Sequence, residues 1–317
     1  MTEKERFIKA LRREPLTGLV PHFELVFYLT MEAFGKVHPT HRVFHQWKQM
    51  SAEEKKAQNR DAAWVYVETA RKYGHSAIFV QSDPTDYERT APLLEEIRDL
   101  SGDMYFIMMH GDPTFAIPDG DYMMEFSRMM YEEPEKLHDQ AKRNTENHAK
   151  AAARLAGSGL LDGYALCSDY CFNTNPFFSG EMFDEYIVPY LREIISAYHK
   201  MGYYVIKHTD GNIMPIVGQM VDCGPDALHS IDPQAGVDLA EVKRLYGDRV
   251  CLIGNVNCGL LQTGTDGECE ADVRRSLTQG MPGYGYIFST SNCVYTGLPL
   301  KRYEFMQRIW REYGLYS

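Results

Sequence analysis

Short apolar runs recur along this chain, each leading through a polar turn into an amphipathic stretch. They fall at residues 20–25, 76–80, 104–109, 163–167, 203–207, 227–231, 250–253 and 286–289. Such runs read as strands buried on both faces, the habit of a parallel sheet. Between them, residues 183–201 carry Ile187, Tyr190, Leu191, Ile194, Ile195 and Tyr198 on one helical stripe. Ser179 is placed to cap that helix, Gly202 to stop it and Pro189 to kink or divide it. Further helices are predicted over 237–246, 268–279 and 304–313, with Gly247 and Gly280 as stops for the first two. The N-terminal part is richer in helix, over 5–12, 41–50, 52–72, 121–130 and 134–155. Strand and helix thus alternate at βα spacing, and eight strands predict an α/β fold, a (β/α)8 TIM barrel. The whole of 1–317 is expected to be one barrel domain with extra N-terminal helices around it.

In a barrel of this kind, chemistry sits where strands exit at their C-terminal ends. The exits here are polar: His22 and Glu24, His110-Gly111-Asp112, Ser168-Asp169-Tyr170-Cys171, and His208-Thr209-Asp210-Gly211-Asn212. The later ones are Asp232-Pro233, Asn255 with Asn257, and Ser289-Thr290-Ser291-Asn292-Cys293. His208 and Asp210 share one backbone edge two residues apart, able to bind a metal or pass a proton. Each has a structural alternative. Asp before Gly is common in tight turns, Asp232 can simply shape a loop before Pro233, and a free cysteine is often a small buried hydrophobe. Glu24 sits in an apolar run, where a carboxylate is costly unless paired. That leaves it an acid–base group or a structural ion pair.

Bulk properties narrow the function. With 44% hydrophobic and 24% charged residues, the chain has an ordinary soluble composition. A net charge of -11 argues against nucleic acid or an anionic membrane as partner. Seven cysteines without a CxxC pair read as reduced thiols. No run approaches the roughly 20 apolar residues of a membrane span, and no apolar signal core follows the charged start, so a cytoplasmic location is expected. Gly283-Tyr284-Gly285 precedes a strand instead of joining a strand to a helix, so it is not a nucleotide loop.

Several segments together resemble the uroporphyrinogen decarboxylase superfamily, which includes tetrapyrrole decarboxylases and zinc-dependent methyltransferases working with corrinoid proteins or coenzyme M. They are Phe178-Ser179-Gly180-Glu181-Met182-Phe183 with Pro189-Tyr190-Leu191, then the His208 to Asn212 segment and His229-Ser230-Ile231-Asp232-Pro233. Gly247-Asp248-Arg249-Val250-Cys251-Leu252-Ile253-Gly254-Asn255, Gly285-Tyr286-Ile287-Phe288-Ser289 and Asn292-Cys293 complete the set. The resemblance covers residues 162–317, and Val20-Pro21 fits the family's first strand more loosely. It implies the same barrel.

The tetrapyrrole decarboxylases carry an arginine segment after the first strand that grips substrate carboxylates. Here that stretch reads His22-Phe23-Glu24-Leu25-Val26-Phe27-Tyr28, without arginine, where a polycarboxylate needs cationic partners. The methyltransferase branch binds zinc through a His-x-Cys pair and a later cysteine. By that resemblance His208 matches the histidine, Asp210 stands at the first cysteine and Cys293 matches the second. The expected activity is methyl transfer from a small, O-methyl or similar donor to a corrinoid protein, with Zn2+ held by His208, Asp210 and Cys293. Glu24 is expected as a fourth ligand or as the acid for the departing oxygen. Asp169, Asn255, Asp232, Asn292 and Tyr170 are expected around the substrate. Two other readings stand beside it. One is a metal-free lyase using His208 and Asp210 as an acid–base pair on a small carboxylic acid, with Asp169 as a further catalytic residue placing the proton. The other is a non-catalytic tetrapyrrole- or corrinoid-binding protein.

Overall fold

Seven of the eight apolar runs form strands of one parallel sheet. The structure is a computed structural model and describes residues 1–42, 44 and 46–316. Two short segments, β1 (Gly18–Leu19) and β9 (Leu315–Tyr316), pair antiparallel and tie the two ends of the chain together. The main sheet runs in sequence order through β2 (Ala77–Val80), β3 (Phe106–His110), β4 (Gly163–Leu166), β5 (Tyr204–His208), β6 (Ala227–His229), β7 (Cys251–Val256) and β8 (Tyr286–Thr290).

The eighth predicted strand, 20–25, is the exception. It contacts both sheet edges without forming a regular strand. The Phe288 amide donates to Pro21 O at 2.9 Å, the Phe23 amide to Phe288 O at 3.1 Å, and the Ser76 amide to His22 O at 2.6 Å. Pro21 has no N–H to extend the ladder. The segment therefore closes the cylinder by isolated bonds.

Strand alternation sorts the core into two parts. Phe79, Phe106, Met108, Ala165, Ile206, Ala227, Ile253 and Ile287 fill the barrel, joined by Phe7, Ala10 and Leu11 of helix Glu3–Leu11. Their neighbours, such as Val205 and Leu228, face the outer helices. On β5 the inward parity set by Ile206 carries on to His208, which pairs in register with His229 of β6.

The helical stripe 183–201 is two helices, Gly180–Tyr186 and Val188–Lys200, broken at Ile187 just before Pro189. Ser179 caps the first, accepting from the Met182 amide at 3.2 Å. The expected helix 41–50 shows only the 3-10 turns Pro39–His41 and Trp47–Gln49, and positions 43 and 45 lie outside the described residues. The expected start at 237 moves to Leu239, because Asp238 accepts from the Ala240 amide at 3.0 Å and caps the helix there. Helix Tyr87–Ser101, with Pro92 in its first turns, was not expected. Among the described residues, no helix is long and apolar enough to cross a membrane.

Candidate functional site

The C-terminal rim of the barrel encloses a cavity of about 630 Å³, lined by Cys167, Asp169, His208, Asp210, Asn292 and Cys293. Its other walls include Leu25, Val26, Phe79, Asp83, His110 and His148. Among its described lining residues there is no lysine or arginine, while three carboxylates are present, on Asp83, Asp169 and Asp210.

Backbone stitching brings the loops after β4 and β5 together. The Tyr170 amide donates to Thr209 Oγ1 at 2.9 Å and the Asn212 amide to Phe172 O at 2.9 Å. Gly211, at φ +84°, packs so close that a Cβ there would lie 2.5 Å from Cys171 O. A side chain at this position would therefore meet both backbone strain and a clash. The contact leaves the Asp210 amide donating to Asp169 Oδ1 at 3.0 Å.

The result is a compact group of three. Oxygen or nitrogen atoms of Asp169, His208 and Asp210 all lie within 4.8 Å of one another. His208 Nε2 is 3.8 Å from Asp169 Oδ1 and 3.7 Å from Asp210 Oδ1. Asp210 Oδ1 is buried with no hydrogen-bond partner, while Asn292 Nδ2 donates to Oδ2 at 2.5 Å. Burial, and then the Asp169 carboxylate nearby, raise the Asp210 carboxyl above its ordinary range, against the pull of His208. An orphaned buried oxygen facing a second carboxylate and an imidazole suits a divalent cation.

The cysteine expected in that set stands apart. Cys293 lines the same cavity but lies outside the compact group, and Asp169 takes its place. Burial first, then the carboxylates around it, push its thiol up to about 12.

Glu24 lies in the barrel wall, 4% exposed, and does not line the cavity. Its Oε2 is 2.5 Å from Thr290 Oγ1, 3.2 Å from the Thr290 amide and 3.3 Å from Ser289 Oγ. Burial pushes its carboxyl up to about 8, though these hydrogen bonds pull the other way. It is therefore neither a rim ligand nor in direct reach of a substrate.

Three expected substrate contacts are structural. Asn255 is fully buried, its amide donating to Ile231 O at 2.7 Å and its Oδ1 accepting from Arg275 at 3.0 Å. Tyr170 is fully buried, with its hydroxyl 2.6 Å from Thr114 Oγ1 and its ring under Lys207 Nζ at 4.0 Å. Asp232 caps the turn Pro233–Ala235, accepting from the Gln234 amide at 2.9 Å, and is absent from the cavity lining. Asn292 does reach the cavity. In all three cases a nearby donor or acceptor on the framework captures the side chain, which strand-exit position alone cannot reveal.

Two features escaped the sequence reading. His229 is buried, with Nδ1 2.7 Å from His208 Nδ1. Burial, then His208 beside it, hold it well below the ordinary histidine range. The available signals were its place in a segment that resembles the family and its two-residue spacing from Ala227 on an inward strand face. The second is a fully buried ion pair, in which Lys207 Nζ donates to Asp112 Oδ2 at 2.8 Å and to Ser168 O at 2.8 Å. Burial opposes charge on Asp112, yet Lys207 and donors from Thr114 and Ser168 hold its carboxyl well below the usual range.

The sequence pattern of the uroporphyrinogen decarboxylase (URO-D) family matches residues 117–313, well over half of the chain. This chain belongs to the uroporphyrinogen decarboxylase family. It is 24% identical over 242 residues to the uroporphyrinogen decarboxylase of Erwinia tasmaniensis, covering 69% of this chain and 62% of that protein. Against the Sodalis glossinidius uroporphyrinogen decarboxylase it is 23% identical over 220 residues, covering 63% and 56%. The matched region thus spans less than two thirds of those curated relatives. Among solved structures, a methyltransferase from Methanosarcina mazei superposes with a TM-score of 0.72 at 19% identity, covering 98% of this chain and 99% of that chain. A D-psicose 3-epimerase from Clostridium cellulolyticum H10 gives 0.50 at 12% identity, covering 81% and 94%. At these identities the likeness is one of fold.

Proposed function

We propose that this protein is a methyltransferase component moving a methyl group from a small, uncharged or cationic donor, such as an O-methyl compound, to a corrinoid carried by a partner protein. Zn2+ is held in this reading by Asp169, His208 and Asp210. The observation that carries it is the spacing of those atoms. Ligands bonded at about 2.0–2.1 Å to one tetrahedral ion lie about 3.3–3.4 Å apart. The His208 Nε2 contacts of 3.7 and 3.8 Å are too long for hydrogen bonds and near that spacing.

When bound, such a cation supplies Lewis acidity that polarises a donor oxygen. The residues of this chain do the rest. Asp169 and Asp210 give the mouth a negative character that favours neutral or cationic donors over polycarboxylates. Asn292, fixed against Asp210, offers an amide edge to the substrate. Leu25, Val26 and Phe79 form an apolar wall that excludes water from the donor methyl group. A reduced corrinoid on the partner protein would supply the nucleophile that takes the methyl group as the donor C–O bond breaks, and solvent at the open rim would supply the proton to the departing oxygen.

Metal analysis of anaerobically purified protein tests the first half, and loss of the Co(I) absorbance of a corrinoid protein on adding donor tests the second. Stoichiometric zinc with donor-dependent loss of that signal is expected. A metal-free lyase is the second reading, favoured by the imidazole pair beside two carboxylates. It predicts CO2 release from a small acid and indifference to chelators.

A further inference from the structure

The loop after β8 is pinned from behind. Glu24, in the segment that closes the barrel, reaches the last residue of that strand. Its Oε2 lies 2.5 Å from Thr290 Oγ1 and accepts from the Thr290 amide at 3.2 Å. Thr290 Oγ1 in turn lies 2.6 Å from Asn292 O. The Asn292 side chain is held at both of its polar atoms. Oδ1 accepts from the Cys293 amide at 2.5 Å, so Nδ2 is the atom that meets Asp210, donating to Oδ2 at 2.5 Å. That bond occupies Oδ2 and leaves Asp210 Oδ1 at 3.7 Å from His208 Nε2. A group hidden in the barrel wall is thus connected to one oxygen in the mouth.

The connection holds for one state of Glu24. Both contacts of Thr290 Oγ1 are at hydrogen-bond distance, and a hydroxyl has a single proton. A carbonyl only accepts, so the Thr290 proton is used on Asn292 O. The proton in the contact with Glu24 is then the carboxyl's own, and Glu24 is an uncharged acid. An ionised Glu24 would take the Thr290 proton and leave two bare oxygens facing each other at Asn292 O. The surroundings agree. Glu24 Oε1 is buried without a hydrogen-bond partner, which is costly for an anion. The titratable groups facing the carboxyl are His22 at 3.7 Å, the hydroxyl of Tyr303 on the last helix, His38, Tyr66 and His75 across a small void, and the thiols of Cys258 and Cys293. None of these is a lysine or arginine, and burial holds the His22 ring down to about 3, uncharged.

We propose that Glu24 is a positioning residue for Asp210: as an uncharged acid acting through Thr290 and Asn292, it fixes which Asp210 oxygen faces the cation. The proposal rests on the metal-binding reading above. Its consequence is a mouth that is assembled while Glu24 keeps its proton and loosens once that proton is lost. Burial pushes the carboxyl up to about 8, so the loss comes on the alkaline side of neutrality. As pH rises through that value, the Thr290 hydroxyl turns from Asn292 O to the new carboxylate, and Asn292 loses the hold on its backbone. Glutamine at position 24 offers an N–H to Thr290 Oγ1 where the acid offers its O–H, and it cannot ionise.

The test titrates the chelator-treated full chain with Zn2+ against a competing chelator, from about pH 6 to 9.5. Glu24→Gln is expected to match the natural protein below neutrality. Above the Glu24 value the natural protein falls behind the variant, about tenfold for each pH unit, up to the 10–100-fold typical of a group acting through a ligand. Thr290→Val, which removes the hydroxyl, is expected to weaken zinc about 10–100-fold at every pH, and Thr290→Ser to restore it. Infrared spectra of protein carrying carbon-13 glutamate read the acid itself, since Glu24 is the one buried glutamate among the described residues. Its acid carbonyl stretch is expected at neutral pH. If Glu24→Gln does not fold, the valine and serine variants and this band decide. Parallel zinc profiles for the natural protein and Glu24→Gln, no difference between valine and serine at 290, or no acid band at neutral pH overturn the proposal. Protein that takes up no zinc at any pH sinks the metal reading instead. The connection is then judged on metal-free protein by the Asn292 side-chain amide signal, assigned by its absence in Asn292→Ser. It is expected to move across the Glu24 titration in the natural chain and to stay still in Glu24→Gln. A signal that moves alike in both, or in neither, overturns it.

Discussion

Asp210 Oδ1 lies 3.7 Å from His208 Nε2, buried and without a hydrogen-bond partner. A buried carboxylate oxygen left unpaired carries a penalty that a bound cation removes. Asp210→Ala is therefore expected to lower zinc affinity by about 100-fold or more, beyond the 10–100-fold typical of residues one shell out. Cys293→Ser, outside the three-atom group, is expected to keep stoichiometric zinc. Metal content after gel filtration, alongside a cobalt(II) substitution spectrum, separates the two outcomes. Loss of zinc in the cysteine variant with retention in the aspartate variant would restore the thiol to the site.

The Lys207–Asp112 pair gives a stability prediction. Both side chains are fully buried, so removing one partner strands a charge. Lys207→Met is expected to destabilise by about 3–5 kcal/mol. Adding Asp112→Asn to it is expected to recover part of that loss, because the stranded carboxylate is gone. Urea unfolding of the single and double variants gives the comparison. Equal midpoints for the single and double variants contradict it.

Acid sensitivity follows from three buried histidines. His22 is lowered to about 3 and His75 and His229 well below the ordinary 6.5, in each case chiefly by burial. The native state thus binds fewer protons than the unfolded chain. Their contribution is complete above 6.5 and is lost as pH falls below it toward the folded values. Each adds about 1.4 kcal/mol per pH unit to the slope in that window. Chemical denaturation from pH 7 downward is expected to show a steep decline. A flat profile would mean that these rings are solvated or already charged.

Glu24 acts in the opposite direction. Its folded value, raised by burial to about 8 from an ordinary 4.5, makes the native state bind more protons within that window. Stability from this group is present at low pH and falls as pH rises from about 4.5 to 8. Glu24→Gln removes the titration. The variant is expected to gain on the natural protein as pH rises, by a few kcal/mol at most, on the order of 1.4 per unit of pKa difference. A constant difference across about pH 5–9 would show that Glu24 is ionised or hydrated throughout.

Apolar runs of the right length, with turn residues between them, were enough to expect a parallel (β/α)8 barrel, since a strand buried on both faces tolerates little else. His208, Asp210 and Asp169 were legible for a related reason. They follow inward-facing strands, where the C-terminal rim leaves polar groups no role in packing. Distance was not legible. Asp169 joins the group through the loops after β4 and β5, which Gly211 packed against Cys171 holds together and which meet only when the cylinder closes. Asn255, Asp232 and Tyr170 sit at the same kind of exit as His208, yet each is captured by a framework partner from another segment. His229 and Glu24 gain their meaning from neighbours 21 and 266 positions away in sequence. Local patterning decides which face of a strand a residue takes, because that depends on backbone parity. Hydrogen-bond partners across strands are decided by register and closure, which only the folded chain possesses.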